Sequence, residues 1–471
     1  MDGLHATLGA ELGTILHIVL ALTVTVHALL HKRDVPATIG WMGLAWLSPI
    51  LGPLLYWAFG VNRVRRKALR VGRRYAQRRR QPVTVAAVRS ARYAALERAV
   101  SVISDRPTLP GNAIRLLRNG DQAYPEMLRA IAEAKSSVGL ASYIFDNDAA
   151  GGPFIDALIA AKARGVAVRV IVDGVGSGYF WSGAARRLDA AGVPVARFLH
   201  SHLPWRMAFL NLRNHKKILT VDGARAFIGG LNISRHNLKD CNPKTAVRDM
   251  HFDVRGPVAT QITEAFIADW YFAAEEELSG PAWFPEPAEA GSALARVITS
   301  GPDQDIEKIE YLLLQAISAA QGSIQIITPY FLPDERLVTA LCLAAMRGIA
   351  IDIVIPEHSD HRILDWAVVA HIEPILKAGG RIWRAPLPFE HSKLMTIDDG
   401  WSLVGSANWD QRSLRLNFEL NMEVYDRDFT TVISEKIAER KGSEITLRMW
   451  RARPLPVRLR DSLARLLLPY L

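Results

Sequence analysis

The sequence predicts an α/β protein: two duplicated α/β sandwich halves related by pseudo-twofold symmetry, preceded by an N-terminal transmembrane helical hairpin. Three observations predict it. Two uncharged apolar runs stand near the N-terminus, a strand–helix–strand rhythm occurs twice, and a polar motif recurs at constant spacing. With 471 residues the chain has room for two or three domains, and 49% hydrophobic with 22% charged residues excludes disorder. The net charge of +10 points to an anionic partner: a lipid surface, a nucleic acid or a phosphorylated substrate. Cys241 and Cys342 are the only cysteines, too few for a disulfide framework or a four-cysteine zinc site.

The hairpin comes first. Thr14–Leu30 and Thr38–Gly60 each approach the roughly 20 apolar residues that a helix needs to cross a bilayer. Pro36, in the break between them, is excluded from a helix interior. A cleaved signal peptide is disfavoured, because Asp2 and Glu11 replace a basic leader and a second apolar run follows. His17 and His27 read as interface-facing or helix-packing residues. Arg63–Arg80 then carries ten basic residues and no acidic one, which marks the cytoplasmic side and attracts anionic lipid. The organisation expected is 1–62 two transmembrane helices, 63–112 basic juxtamembrane segment, 113–285 first half and 286–471 second half.

The halves rest on self-similarity. Ser137–Phe145, Phe154–Arg164 and Val166–Val172 read as strand, helix and strand; Ser323–Phe331, Leu337–Arg347 and Ile349–Ile355 repeat that order. The segment Ala-Arg-Gly-Val-Ala-Val (163–168) returns as Met-Arg-Gly-Ile-Ala-Ile (346–351). Leu455, Leu459, Leu463 and Leu467, with Arg458, Arg460 and Arg465 among them, describe a basic amphipathic helix, either interfacial or conventionally packed.

The chemistry lies in two segments, 209–236 and 385–412. His215-x-Lys217-x4-Asp222 is followed by Gly229-Gly230-x-Asn232, and His391-x-Lys393-x4-Asp398 by Gly405-Ser406-x-Asn408; every matched position is 176 residues from its counterpart. On a strand, His and Lys two apart share a face. Ile218–Val221 and Leu394–Ile397 read as buried strands ending in Asp, and the glycines allow close backbone approach. A neutral imidazole can attack phosphorus as a nucleophile, and a second, protonated, can donate to the leaving oxygen. The lysines and asparagine amides meet the oxygens where charge collects, so no metal or other cofactor is required. A zinc site is discounted, since His-x-Lys lacks a second ligand at metal spacing.

These motifs resemble the His-x-Lys-x4-Asp signature of the phospholipase D superfamily. Over nearly the whole chain the sequence is similar to bacterial cardiolipin synthases, through Leu212-Arg-Asn-His-Lys-Lys-Ile-Leu, Arg248-Asp-Met-His-Phe, Thr328-Pro-Tyr-Phe-Leu-Pro-Asp and the run 405–419, Gly-Ser-Ala-Asn-Trp-Asp-Gln-Arg-Ser-Leu-Arg-Leu-Asn-Phe-Glu. The resemblance implies that two phosphatidylglycerols become cardiolipin and glycerol. It also implies a multi-pass protein of the bacterial inner membrane, with anionic lipids as partners and no nucleic acid. It makes His215 the nucleophile and His391 the general acid/base, with Lys217 and Lys393 on phosphate. Asn232 and Asn408 are neutral donors to the substrate, and Asp249 and Glu419, grouped with them on the substrate side, are candidates to hold the two histidines by hydrogen bonds. Asp222 and Asp398, counted with the catalytic set, orient structure or lysines at a distance. Ser359, Asp360 and His361 are placed at a pocket rim. Glu390 departs from the neutral residue expected before the second His. A hydrolytic phospholipase D, a superfamily nuclease and a non-catalytic scaffold are the competing readings.

Overall fold

In a computed structural model, residues 2–32, 35–60, 91–178, 180–200, 212–242, 244–302 and 305–466 are described. The basic run Arg63–Arg80 lies outside them. The chain forms two compact units.

The N-terminal unit holds the helix Asp2–His31, of which Glu11–His31 is long and apolar enough to cross a membrane, with mean hydropathy 2.0. The second apolar run departs from the continuous span expected over Thr38–Gly60. It forms a helix over Val35–Leu47, breaks, then resumes as short turns over Leu51–Leu55 and Tyr56–Gly60. The break has a local cause: Pro49 carries no N–H, and Ile50 sits at φ 65°. Pro36 is accommodated in the first turn of its helix, where its missing N–H costs nothing. His17 reaches the Ala45 carbonyl at 3.1 Å and His27 the Tyr56 hydroxyl at 2.7 Å, so both tie the first helix to the second run.

The other unit is built on nineteen strands among the described residues. β1 (Leu109–Arg118), β2 (Ser137–Ser142), β3 (Ala167–Asp173), β4 (Val195–Phe198), β5 (Ile218–Val221), β6 (Arg225–Gly229), β7 (Val247–Arg248) and β8 (Met250–Arg255) precede β9 (Ala293–Ser300). There follow β10 (Ser323–Ile327), β11 (Phe331–Leu332), β12 (Ala350–Pro356), β13 (Arg381–Ala385), β14 (Phe389–Glu390), β15 (Leu394–Ile397), β16 (Trp401–Gly405), β17 (Trp409–Asp410), β18 (Glu419–Tyr425) and β19 (Ser443–Ile445). Fifteen of them make one sheet. Outward from the β1–β9 pair it runs β8-β6-β5-β2-β3-β4 on one side and β18-β16-β15-β10-β12-β13-β19 on the other. β2 and β3 are parallel, as are β10 and β12, and the connecting helices Gly151–Ala163 and Glu335–Met346 supply the crossovers that parallel strands demand. The apolar faces of those helices seat Phe154 and Leu158 in one core and Leu341 in another, against Leu140 and Val170 and against Ile326 and Ile353 respectively. The helix Ala94–Ser104, within the span read as juxtamembrane, packs Leu96 and Val100 into the second of these cores.

Two small contacts position the site. β7 pairs in parallel with β14, and Asn214 bridges to Phe418. Each motif is thereby stitched to the opposite half.

Candidate active site

β5 and β15 are wholly buried and start one residue after each His-x-Lys. The motif residues are thus arms leading into a strand, not members of its ladder as expected. Their backbone pairs across the halves instead: His215 N–H donates to the Phe418 carbonyl at 2.9 Å, and His391 N–H to the Arg248 carbonyl at 2.7 Å. The residue before each His is anchored in the interior. Asn214 donates to Asp269 at 3.0 Å, and Glu390 accepts from Arg440 at 2.6 Å, so the carboxylate beside His391 is spent on another partner.

The cross-half pairing delivers each imidazole to a carboxylate of the other half. His215 Nδ1 lies 3.0 Å from Glu419, and His391 Nδ1 lies 2.6 Å from Asp249. A carboxylate accepts, so it holds the ring proton on Nδ1 and leaves Nε2 for substrate. Gly230 makes room for Asp249, since a Cβ there would lie 2.3 Å from its carboxylate oxygens. The matching position in the other half is Ser406, whose hydroxyl donates to Glu419 at 2.5 Å. Lys217 Nζ turns back to the His215 carbonyl at 2.6 Å, and Lys393 Nζ likewise donates to the His391 carbonyl.

Burial dominates the electrostatics. It pushes His215 well below its ordinary range, and the charges of Lys217 and Lys393 push the same way. His391 is lowered by burial and by Lys393, with Asp249 opposing. Burial brings Lys217 down to about 7 and Lys393 to about 8. The two carboxylates diverge. Burial carries Glu419 up to about 7, whereas for Asp249 the charges of Lys393 and His391 outweigh burial and hold it low.

A cavity of about 550 Å³ opens over this cluster, lined by His215, His391, Asn232 and Asn408 among others. The Asn408 Oδ1 is buried and has no hydrogen-bond partner. Asp360 and His361 also line it; Ser359 instead turns its hydroxyl to the His361 carbonyl. Asp222 and Asp398 are not brought to the cavity by their contacts. Asp222 accepts the backbone N–H groups of 135, 136 and 137, and Asp398 those of 321, 322 and 323, at the opposite end of each motif strand.

Three comparisons with known proteins bear on this arrangement. A family model described as "Cardiolipin synthase, PLD-like domain" matches twice, over residues 127–270 and 313–441, and one described as "Phospholipase_D-nuclease N-terminal" matches 19–60. The major cardiolipin synthase of Bacillus subtilis is 32% identical over 97% of this chain and 98% of its own, and cardiolipin synthase A of Pseudomonas syringae is 33% identical over 88% of each. The chain belongs to the cardiolipin synthase family. Both histidines, both lysines and their carboxylate partners fall inside the two matched spans of the family model. In solved structures, the fold is similar to that of phosphatidylserine synthase from Haemophilus influenzae, with TM-score 0.57 and 14% identity over 80% of this chain and all of that one.

Sequence reasoning did not single out four cavity residues: Tyr143, Tyr330, Arg213 and Arg412. The Tyr143 ring packs edge-on to His215 with centroids 5.0 Å apart, and the Tyr330 ring lies 6.4 Å from His391. A signal existed, since each tyrosine follows the first strand of a strand–helix–strand unit, and Arg213 stands two residues before His215.

Proposed function

We propose that the protein is a cardiolipin synthase, which moves a phosphatidyl group from one phosphatidylglycerol to another and releases glycerol. The observation that carries this reading is the reciprocal pairing of two histidines with carboxylates across one cavity, beside two buried lysines. His215, kept neutral, attacks phosphorus; the P–N bond forms as the P–O bond to glycerol breaks. His391 in its protonated form, which ionised Asp249 favours against burial and the charge of Lys393, protonates the departing glycerol oxygen. It then takes the proton of the acceptor's hydroxyl while the new P–O bond forms and the P–N bond breaks. Lys217, Lys393, Asn232 and Asn408 stabilise the phosphoryl oxygens. We read the halves as duplicates about a pseudo-twofold axis. The N-terminal unit is proposed to pass the bilayer twice, with Arg63–Arg80 and the catalytic halves on the cytoplasmic face of a bacterial inner membrane.

The test is to incubate purified full-length protein with phosphatidylglycerol in mixed micelles and identify the products. Cardiolipin and glycerol in equal amounts are expected. Phosphatidic acid as sole lipid product would make water the acceptor and the protein a hydrolase; DNA cleavage without lipid turnover would make it a nuclease.

A further inference from the structure

The leucine-spaced C-terminal helix is unused by the chemistry above. It spans Leu455–Leu466, and its inner face packs on the helix Arg362–Ala367, with Ala464 and Ala367 in one buried cluster. Asp461 is also buried and is paired with Arg453 and Arg460. The outward face carries an apolar stripe between arginines: Leu455, Leu459 and Leu463 are 64%, 57% and 66% exposed and four residues apart. Covering such a stripe with water-free surroundings is favourable for every leucine removed from water. Beside the helix lies a groove of about 290 Å³ lined by Lys377, Arg453, Arg458 and Arg465, with Glu373 and Asp461 the acids. Glu373 is taken by Lys377 at 2.8 Å. Among the described residues, no carboxylate lies within ion-pair distance of Arg458 or Arg465.

We infer that this helix docks on the membrane surface, with the leucine stripe among acyl chains and the basic groove on anionic phosphodiester headgroups. The charge of the groove selects an anionic lipid surface over a second copy of the chain, whose matching groove would repel it. The docked helix braces the rim of the catalytic cavity, since Leu364 on the helix beneath it lines that cavity. The inference extends the lipid reading of the site, and its test reads docking without turnover.

Full-length protein with Cys241 and Cys342 replaced by Ser receives one cysteine, Leu459→Cys or, as reference, Val102→Cys, which is 84% exposed on the helix Ala94–Ser104. Each carries an environment-sensitive fluorophore in vesicles containing brominated-chain lipid, with or without phosphatidylglycerol. The Leu459 probe is expected to be quenched several-fold more than the Val102 probe. Its quenching is expected to grow with phosphatidylglycerol content and to lose that dependence in Arg458→Gln/Arg465→Gln. Equal quenching at the two positions, or no response to phosphatidylglycerol, overturns the proposal. A blue shift at Leu459 without bromine quenching, the signature of protein burial, overturns it in favour of a second copy. Docking with no cardiolipin formed by the wild type would instead remove the transferase reading and leave the docking surface standing.

Discussion

His215 and His391 occupy matched positions in their motifs and differ in their partners. Glu419, pushed up to about 7 by burial, accommodates a neutral His215, whereas Asp249, held low by Lys393 and His391, opposes the burial and the Lys393 charge that lower His391. On that asymmetry we propose the roles, and single-turnover labelling tests them. With an activated phosphatidyl ester, whose leaving group needs little protonation, His391→Ala should retain single-turnover cleavage and trap label at His215. His215→Ala should trap none; label held at His391 in that variant would reverse the roles. The lysines predict a pH profile. In the free enzyme, rising pH strips Lys217 near 7 and Lys393 near 8, so kcat/KM should fall through that window. A bound phosphodiester favours the ammonium form, so kcat should hold to higher pH. A kcat/KM flat to pH 9 would refute this, and Lys217→Met should lower it by about 10²–10³-fold.

At the level of elements, each motif strand separates two tasks. Its entry end carries His and Lys to the cavity. Its exit end turns on Asp222 or Asp398, both at positive φ, whose carboxylates gather three backbone N–H groups from the turn before β2 or β10. Asp222→Ala leaves those donors unmet at a half-exposed site, which should cost about 1–2 kcal/mol, the low end for unsatisfied amides. For Asp222, burial raises the carboxyl, but hydrogen bonds from Ser137, Ser136 and Lys135 outweigh it and depress the value on folding. The stabilisation is therefore present above the unfolded value and lost as pH falls through the folded one. Thermal unfolding should show Asp222→Ala less stable at pH 7 and converging on wild type in acid. A deficit that persists below both values would contradict the capping role.

At the level of the molecule, the site exists because β7 meets β14 and Asn214 meets Phe418; neither half alone holds its own histidine. The sheet that carries both halves shares its central β1–β9 pair, so the two arms cannot drift apart without breaking the ladder. Orientation in the membrane belongs to this scale as well. Ten arginines and lysines after the second apolar run should keep the catalytic halves in the cytoplasm. A cysteine placed at Gln77 should escape an impermeant thiol reagent in intact cells and react after lysis; ready labelling in intact cells would contradict the assignment.

The sequence alone determined what repetition and local chemistry can encode. Motif spacing, buried apolar runs and strand–helix–strand rhythm are short-range patterns, so His215, Lys217, His391 and Lys393, their strands and the crossover helices were legible. What required tertiary structure was every relation between residues far apart in the chain. That His215 answers to Glu419 and His391 to Asp249 depends on backbone pairing between the halves. The break at Pro49–Ile50 turns an apolar run of spanning length into a short helix with turns, through backbone geometry that hydropathy does not see. The lowered lysines and the divergent carboxylates arise from burial, a property of the assembled fold. Tyr143, Tyr330, Arg213 and Arg412 belong to the site only because loops from both halves converge on one cavity, and no spacing along the chain records that convergence.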